Sequence, residues 1–167
     1  MRTKLFSLLA ASAAVLLAGC AGPGPSSVGG TARPAAISVD PAKRSEVAMA
    51  ALSLLDTPYR YGGRYPEQGF DCSGLVAYVM RSAADVRLPH NSAEIARLGR
   101  PVSSHKLNPG DLVFFNTLNR PLSHVGVYIG EDRFVNAPSS GGRVRIDSLA
   151  NPYFAQRFEG ARTLFAE

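Results

Sequence analysis

The sequence has little cysteine, no long basic cluster and no internal repeat, and each shortage excludes a class of protein. It has 167 residues, two cysteines and a formal net charge of +5. A charge this small, without a run of lysine and arginine, argues against nucleic acid but suits an acidic polymer as partner. The three histidines are scattered and no CxxC or HExxH spacing occurs. We therefore expect neither a metal site nor a cofactor.

The one long apolar run lies at the N-terminus and is typical of an export signal. Two basic residues precede an apolar stretch from residue 5 to 17, which is too short to span a bilayer as a stable helix. The LAGC that ends it resembles the bacterial lipoprotein box, in which cleavage leaves the cysteine, here Cys20, lipid-modified. Ala21 stands at the position where some lipoproteins have Asp. This favours localisation of the protein at the outer membrane, facing the periplasm. A plain signal peptide with a chance cysteine is the alternative.

The rest of the chain divides into a linker and one domain. After a signal peptide at 1–19, residues 20–40 carry the lipidated cysteine and a segment rich in Gly, Pro, Ser and Ala, typical of a flexible linker. The domain at 41–167 begins with helical patterns and continues with short strands, which predicts an α+β fold. Helices are predicted at 41–57, after Asp71, and from Asn91 or Ser92. Strands are predicted at 112–116, 124–130, 132–138, 142–149 and near 161–165.

The second cysteine is the first candidate for chemistry. If Cys20 carries lipid, Cys72 is the only free thiol of an exported protein, in a compartment where thiols are usually paired. Asp71 as helix N-cap would place Cys72 in the first turn, where the helix dipole stabilises a thiolate and the Asp71 carboxylate opposes it. A buried, inert cysteine is one alternative. A Cys20–Cys72 disulfide is another, excluded if lipidation occurs.

A reactive thiol needs a base, and His124 is the best placed histidine. It begins the clearest strand of the sequence, and strand ends are rigid positions for catalytic side chains. His90 and His105 are interpreted as solvated loop residues. Asn136, in the next predicted strand, should come close to His124 through the intervening turn and could orient its ring. Alternatively, Asn136 satisfies a backbone group at the strand end.

A series of motifs runs in order from about Pro58 to Ala161: YRYGG, FDCSGLV, LPHNS, LNPGDLVFF, HVGVYIG, RFVNAPSSGGRV and NPYFAQRFEGAR. Together they resemble the NlpC-type papain-like cysteine peptidase family. The resemblance implies N-terminal helices packed on a small antiparallel sheet of about five strands, with the nucleophile at a helix N-terminus. It also implies cleavage of peptidoglycan stem peptides, in many members at the bond between D-γ-glutamyl and a diamino acid.

The resemblance assigns roles to residues that the chain shares with the family. Cys72 matches the nucleophile, His124 the base, and Asn136 a third polar position that is more often His. Tyr59 matches a tyrosine that lies over the active site, where it could help hold an oxyanion.

The roles of Asp71 and Ser73, on either side of Cys72, stay open, and so do three alternative activities. Asp71 and Ser73 are structural by default, although either could touch substrate. An amidase or an acyltransferase using the same dyad, or a non-catalytic wall-binding lipoprotein, are the alternatives to a peptidase.

Overall fold

A computed structural model describes residues 37–140 and 142–167, with an antiparallel six-stranded sheet at its centre. The predicted signal peptide, the lipidation at Cys20 and most of the predicted linker lie outside the described residues. The described chain is packed from its start, because the Val39 N–H donates to the Leu164 carbonyl and the Val39 carbonyl accepts from Ala166, both at 2.8 Å. These contacts begin upstream of the predicted boundary at residue 41.

The first helix is shorter than predicted. A 3-10 turn (Pro41–Lys43), capped by the Asp40 side chain, leads into α1 (Arg44–Leu52). The predicted helix ran to residue 57, but the chain leaves helical geometry after Leu52 and reaches a positive φ of 65° at Asp56. Apolar spacing alone did not reveal this turn, because the apolar pattern continues past the helix end.

The next two helices begin where capping residues predict. Asp71 accepts the Gly74 N–H at 2.8 Å to start α2 (Cys72–Ala84). Asn91 accepts the Glu94 N–H at 3.1 Å to start α3 (Ser92–Leu98). A side-chain oxygen that satisfies an orphan backbone donor typically contributes about 1 kcal/mol, which explains why these starts can be located from sequence.

Within the described residues, eight strands form two sheets. They are β1 (Arg64–Tyr65), β2 (Gly69–Phe70), β3 (Arg100–Val102), β4 (Leu112–Phe115), β5 (His124–Gly130), β6 (Arg133–Asn136), β7 (Arg145–Ser148) and β8 (Phe158–Thr163), with α4 (Pro152–Ala155) between the last two. β1 and β2 make a hairpin, and the main sheet has the order β3-β8-β4-β5-β6-β7, all antiparallel. The α+β class is confirmed, and the short strands β1, β2 and β3 are the ones the sequence did not predict.

Apolar side chains cover both faces of the main sheet. One face packs against α1 and α2, where Leu75, Val76, Val79 and Met80 are fully buried. Burial of each such side chain contributes roughly 1.5–3 kcal/mol. The other face carries an aromatic cluster centred on Phe115. Among the described residues, no helix is both long and apolar enough to cross a membrane.

Candidate active site

The Cys72 thiol lies at the point where the N-terminus of α2 packs against the start of β5. Its Sγ is 4.0 Å from the Ser123 carbonyl, and the Val125 N–H donates toward the sulfur. Ser123 and Val125 flank His124 in the chain. Packing of α2 on the sheet therefore brings the cysteine beside the histidine, although 52 positions separate them in the sequence.

His124 is held by Asn136 in a defined tautomer. The His124 Nε2–H donates to Asn136 Oδ1 at 2.9 Å. The amide orientation is fixed from behind, because Asn136 Nδ2 donates to Asp147 Oδ2 at 2.9 Å and to the Arg145 carbonyl at 3.3 Å. With Nε2 as the donor, Nδ1 carries the lone pair that can accept a proton. The predicted proximity of His124 and Asn136 is confirmed, while their roles stay predictions.

A glycine makes room for this pair. Strand alternation puts His124 and Gly126 on one face of β5, and Gly126 pairs with Asn136 of β6. A Cβ at Gly126 would lie 2.6 Å from the Phe134 ring and 3.3 Å from Asn136 Cβ. Its absence lets the Asn136 side chain stand next to the imidazole. The ring is further enclosed by Phe115 and Phe154, with centroids at 6.1 and 6.3 Å.

Burial favours the neutral forms of both Cys72 and His124. Burial raises the pKa of the Cys72 thiol to about 11, with the Asp71 charge as a second cause, and this outweighs the backbone donors that favour a thiolate. Burial also lowers the pKa of His124, and the Asn136 hydrogen bond offsets this only in part. Burial therefore outweighs the helix dipole and the backbone donors at the start of α2, and it favours the neutral thiol of Cys72.

Asp71 connects the elements around Cys72. Its Oδ1 accepts from Gly74 N, Ser73 Oγ and His90 Nε2 at 2.8, 3.0 and 2.8 Å, and its Oδ2 accepts from Gly62 N at 3.0 Å. The predicted cap is confirmed, and the Ser73 hydroxyl is engaged within the protein. The carboxylate fixes two segments to the N-terminus of α2. They are the loop that contains Gly62 and Gly63, called the glycine loop below, and the segment before α3.

The interpretation of His90 as a solvated loop residue is wrong. Its side chain is only 13% exposed and bonds to Asp71 from 19 positions away. The loop after α2 folds back along the helix, and this long-range contact leaves no periodic signal in the sequence. His105, by contrast, lies exposed in a 3-10 turn (Ser104–Lys106).

Tyr59 lies at the rim of the site. Its backbone N–H donates to the Gly142 carbonyl at 2.7 Å, which ties the loop before β1 to the segment before β7. Burial raises the pKa of the Tyr59 hydroxyl, and negative charge on Asp71 and Cys72 raises it further. The Tyr59 hydroxyl therefore lies within electrostatic reach of the Cys72 thiol, while its role stays a prediction.

Sequence reasoning missed Asp147, which supports the asparagine. Asp147 Oδ2 accepts from Asn136 Nδ2 and, at 2.8 Å, from Arg145 Nε. The alternation of Arg145 and Asp147 in the predicted strand already placed both on one face. The missing information was the register of β7 on β6, which sets Asn136 opposite Arg145.

Two cavities open near the site. A small one of about 110 Å³ is bordered by His124, Thr117, Ser139 and Tyr153, among others. A larger one of about 410 Å³ lies along α2, reaches Gly74 and contains neither Cys72 nor His124. Within the described ranges, no cluster of three or more His, Cys, Asp or Glu side chains is arranged to hold a metal ion.

Comparison with known proteins finds a family match and similar curated proteins. The NlpC/P60 family profile matches residues 56–163. Murein DD-endopeptidase MepH of Escherichia coli is 40% identical over 124 residues, 72% of this chain and 46% of that protein. Gamma-DL-glutamyl hydrolase of Bacillus subtilis is 38% identical over 128 residues, 75% of this chain and 31% of that protein. The chain thus spans less than half the length of either relative.

A solved structure supports the fold. The crystal structure of the NlpC/p60 domain of peptidoglycan hydrolase SagA superposes with a TM-score of 0.63 at 27% identity. The match covers 72% of this chain and 97% of that domain. Helices packed on a small antiparallel sheet are therefore common to both, as the sequence motifs predicted.

Proposed function

The chain belongs to the NlpC/P60 family, and from this premise we propose that it is a cysteine peptidase acting on the peptide stems of bacterial peptidoglycan. One observation carries the proposal. The hydrogen bond from His124 Nε2 to Asn136 leaves Nδ1 as the basic nitrogen of a histidine whose neighbours in the chain both touch the Cys72 thiol. A buried histidine that is oriented in this way and sits beside a lone thiol is the arrangement that nucleophilic catalysis needs.

The first half of the reaction forms a thioester. Cys72 Sγ attacks the peptide carbonyl carbon while His124 Nδ1 takes the thiol proton. The negative charge that develops on the carbonyl oxygen is held by the Cys72 backbone N–H, with the Tyr59 hydroxyl as second donor. When the carbon–nitrogen bond breaks, His124 returns the proton to the departing amine, and the acyl group remains on sulfur.

The second half regenerates the enzyme. His124 removes a proton from water, the resulting hydroxide attacks the thioester carbonyl, and the carbon–sulfur bond breaks. The proton passes from His124 to the leaving sulfur, which restores the neutral pair. Asn136 keeps the imidazole aligned in both halves, and Asp147 fixes the amide of Asn136.

Within the stem peptide, the bond between D-γ-glutamyl and the diamino acid is our proposed point of cleavage. The name of the Bacillus subtilis relative supports a γ-glutamyl bond. A specific observation favours a second candidate, since the E. coli relative is a DD-endopeptidase and would imply a bond between two D-centres. Asp71 and Ser73 lie next to Cys72, and their hydrogen bonds within the protein support a structural role for both beside either bond.

Analysis of the cleavage products shows which of these bonds the protein cuts. Purified crosslinked and uncrosslinked muropeptides are incubated with the protein and analysed by mass spectrometry. We expect uncrosslinked stems to be cut after D-γ-glutamyl. Separation of crosslinked dimers into intact stems would favour the DD bond, and release of whole stems from glycan would favour the amidase. If the protein binds wall material without cutting any of it, the peptidase proposal fails.

The expected pH dependence of activity follows from the shifted pKa values of His124 and Cys72. His124 acts as base only when neutral, and its pKa lies below the usual value. We expect kcat/KM to rise with pH through an acidic limb below about 6.5 and then to stay level to about pH 9, because the Cys72 thiol ionises only near 11. The measurement is kcat/KM against a defined stem peptide from about pH 4.5 to 9.5. A decline between about pH 7 and 9 would instead indicate a reactive thiolate–imidazolium pair.

We also propose that 41–167 is the catalytic domain and that 1–19 is a signal peptide whose removal leaves a lipidated Cys20 at the start of the linker 20–40. The support is the LAGC motif and the segment composition. The anchor would hold the protein at a bacterial membrane, most simply the outer one. Cell fractionation of wild type and Cys20→Ser measures this, and equal membrane association of the two would refute it.

A further inference from the structure

An aspartate and an arginine on the edge strand β7 lie beside the His124–Asn136 pair. β7 is the last strand in the order of the main sheet. Arg145 Nε donates to Asp147 Oδ2 at 2.8 Å, and the two side chains are 38% and 14% exposed. Because the arginine is partly in solvent, the ion pair itself adds little to the stability of the fold. We therefore expect its main effect on the buried polar groups next to it.

Strand register brings four polar side chains of three neighbouring strands onto one face of the sheet. Gly126 of β5 is paired with Asn136 of β6, and Asn136 is paired with Arg145 of β7. Since side chains alternate along a strand, His124 shares the face of Gly126, and Asp147 shares the face of Arg145. A continuous series of hydrogen bonds therefore links the guanidinium group to the imidazole ring.

The Asn136 amide has two possible orientations, and its partners select one of them. An amide has a donor end and an acceptor end of almost the same shape. Asn136 Nδ2 donates to the Asp147 carboxylate at 2.9 Å and to the Arg145 carbonyl at 3.3 Å, two groups that can only accept. Rotation of the amide by half a turn would place Oδ1 against both acceptors. Asn136 Oδ1 is therefore held toward His124, which donates from Nε2 at 2.9 Å and keeps Nδ1 free.

The charge of Asp147 makes this selection stronger than a neutral partner could. A hydrogen bond to an ionised acceptor is roughly twice as strong as one between neutral groups. A carboxylate also has no donor, whereas an asparagine at the same position could accept from Asn136 in one orientation and donate to it in the other. The chemistry of the side chain at position 147 thus decides which tautomer of His124 is favoured, although no hydrogen bond joins Asp147 to the imidazole in the described structure.

Arg145 orients the carboxylate and joins it to the segment after β6. While Arg145 Nε binds Asp147, its Nη1 donates to the Ser140 carbonyl at 3.2 Å. Ser140 and His124 border the same small cavity. The guanidinium group is thus tied at two points, and this fixes the position of the carboxylate that it holds.

The two charges also act on the basicity of His124 in opposite senses. Burial lowers the pKa of His124, and the Asn136 hydrogen bond raises it. The negative charge of Asp147 also raises this pKa, and the positive charge of Arg145 lowers it. The other elements packed around the ring present an aromatic ring each from β4 and α4 and a thiol whose neutral form is favoured by burial, namely Phe115, Phe154 and Cys72. Removal of one charge is therefore expected to move the pKa in the direction that identifies the charge removed.

We propose that Asp147 and Arg145 are positioning residues of the active site, which act through Asn136 and select the tautomer of His124 that has Nδ1 as its base. The proposal rests on the peptidase function proposed above for its effect on cleavage, whereas the tautomer can be observed in protein that cuts nothing. Neither residue takes part in the making or breaking of bonds. The imidazole takes the thiol proton, and the ion pair determines which of its nitrogens is available for that proton.

The tautomer of His124 is measured by nitrogen-15 NMR on protein labelled at histidine, at about pH 8, where the imidazole is neutral. We expect the wild-type ring to carry its proton on Nε2. In Asp147→Asn, a large share of the molecules should carry it on Nδ1, and kcat/KM should fall about tenfold or more, mainly through kcat. Asp56→Asn is the matched control, because it makes the same change in an exposed ion pair with Arg143 and should alter neither quantity.

The pH profile supplies an independent test. Loss of the Asp147 charge lowers the pKa of His124, so the base form persists to lower pH, and the acidic limb of kcat/KM for Asp147→Asn should move to lower pH. Loss of the Arg145 charge raises that pKa, so the limb for Arg145→Gln should move to higher pH. Two variants of one ion pair would thus shift the profile in opposite directions, which a loss of folding stability cannot produce.

Three results would overturn the proposal. They are an unchanged tautomer in Asp147→Asn, a kcat/KM of that variant equal to that of Asp56→Asn, and acidic limbs that do not move in opposite directions in Asp147→Asn and Arg145→Gln. Melting temperatures close to that of wild type establish that the variants are folded. If the tautomer changes as expected and the wild type cuts no stem peptide, the positioning role is upheld while the peptidase function is refuted.

Discussion

Cys72→Ala is expected to lower the rate of stem-peptide cleavage by about 10⁴-fold or more, to the level of background hydrolysis. The methyl group cannot form the thioester, and the remaining oxyanion donors cannot replace a nucleophile. Substrate affinity should stay close to wild type, because the hydrogen-bond partners of the sulfur in the described structure are all backbone groups, at the start of α2 and on either side of His124. The measurement is the initial rate of product formation by liquid chromatography, with binding measured in parallel.

Two further variants make this result specific. Cys72→Ser keeps the shape of the site but is expected to be almost as inactive, because a hydroxyl is a far weaker nucleophile than sulfur at the same position. Ser82→Ala, on the exposed side of the same helix, should retain full activity. Near wild-type cleavage by Cys72→Ala would show that another residue attacks the peptide and would remove the basis for the proposed mechanism.

Gly74→Ala is expected to destabilise the domain by about 3 kcal/mol or more. In an unhindered helix this change would stabilise the protein by about 1 kcal/mol, so the sign of the effect is the test. Here the added Cβ would overlap the Gly63 carbonyl oxygen and come within 3.0 Å of His90 Nε2. Since Asp71 holds both segments, neither can withdraw without breaking hydrogen bonds. Urea denaturation measures the difference.

Gly62→Ala separates this close approach from a general cost of changing loop glycines. Gly62 has a positive φ of 72°, and a Cβ added there would have no atom within 4 Å. Only backbone strain of about 1–2 kcal/mol is therefore expected. A Gly74→Ala protein as stable as wild type would mean that the glycine loop moves away from α2 easily, and Asp71 would then hold it less firmly than its four hydrogen bonds indicate.

The sequence predicted those parts of the site that depend on local rules. Asp71 as a cap, the start of β5 at His124 and the approach of Asn136 follow from capping, alternation and a short turn between neighbouring strands. Each of these acts over fewer than about a dozen positions, which is the range in which single-sequence patterns carry information.

The remaining parts depend on distant segments. The bond between His90 and Asp71 and the gathering of three arginines around the larger cavity, along α2, both need the path of the chain after α2. The resting protonation of Cys72 could not be derived either, because burial and a neighbouring charge had to be weighed against the helix dipole in three dimensions. These contacts form only once the loops are placed.

The high pKa of the buried thiol also bears on how readily Cys72 is oxidised. With a pKa of about 11, only about one molecule in ten thousand carries a thiolate at neutral pH. Peroxides and foreign disulfides react with the thiolate and not with the thiol, so Cys72 is expected to be slow to oxidise or to become cross-linked. The same burial and the same Asp71 charge that raise the pKa of the thiol thus give Cys72 chemical durability.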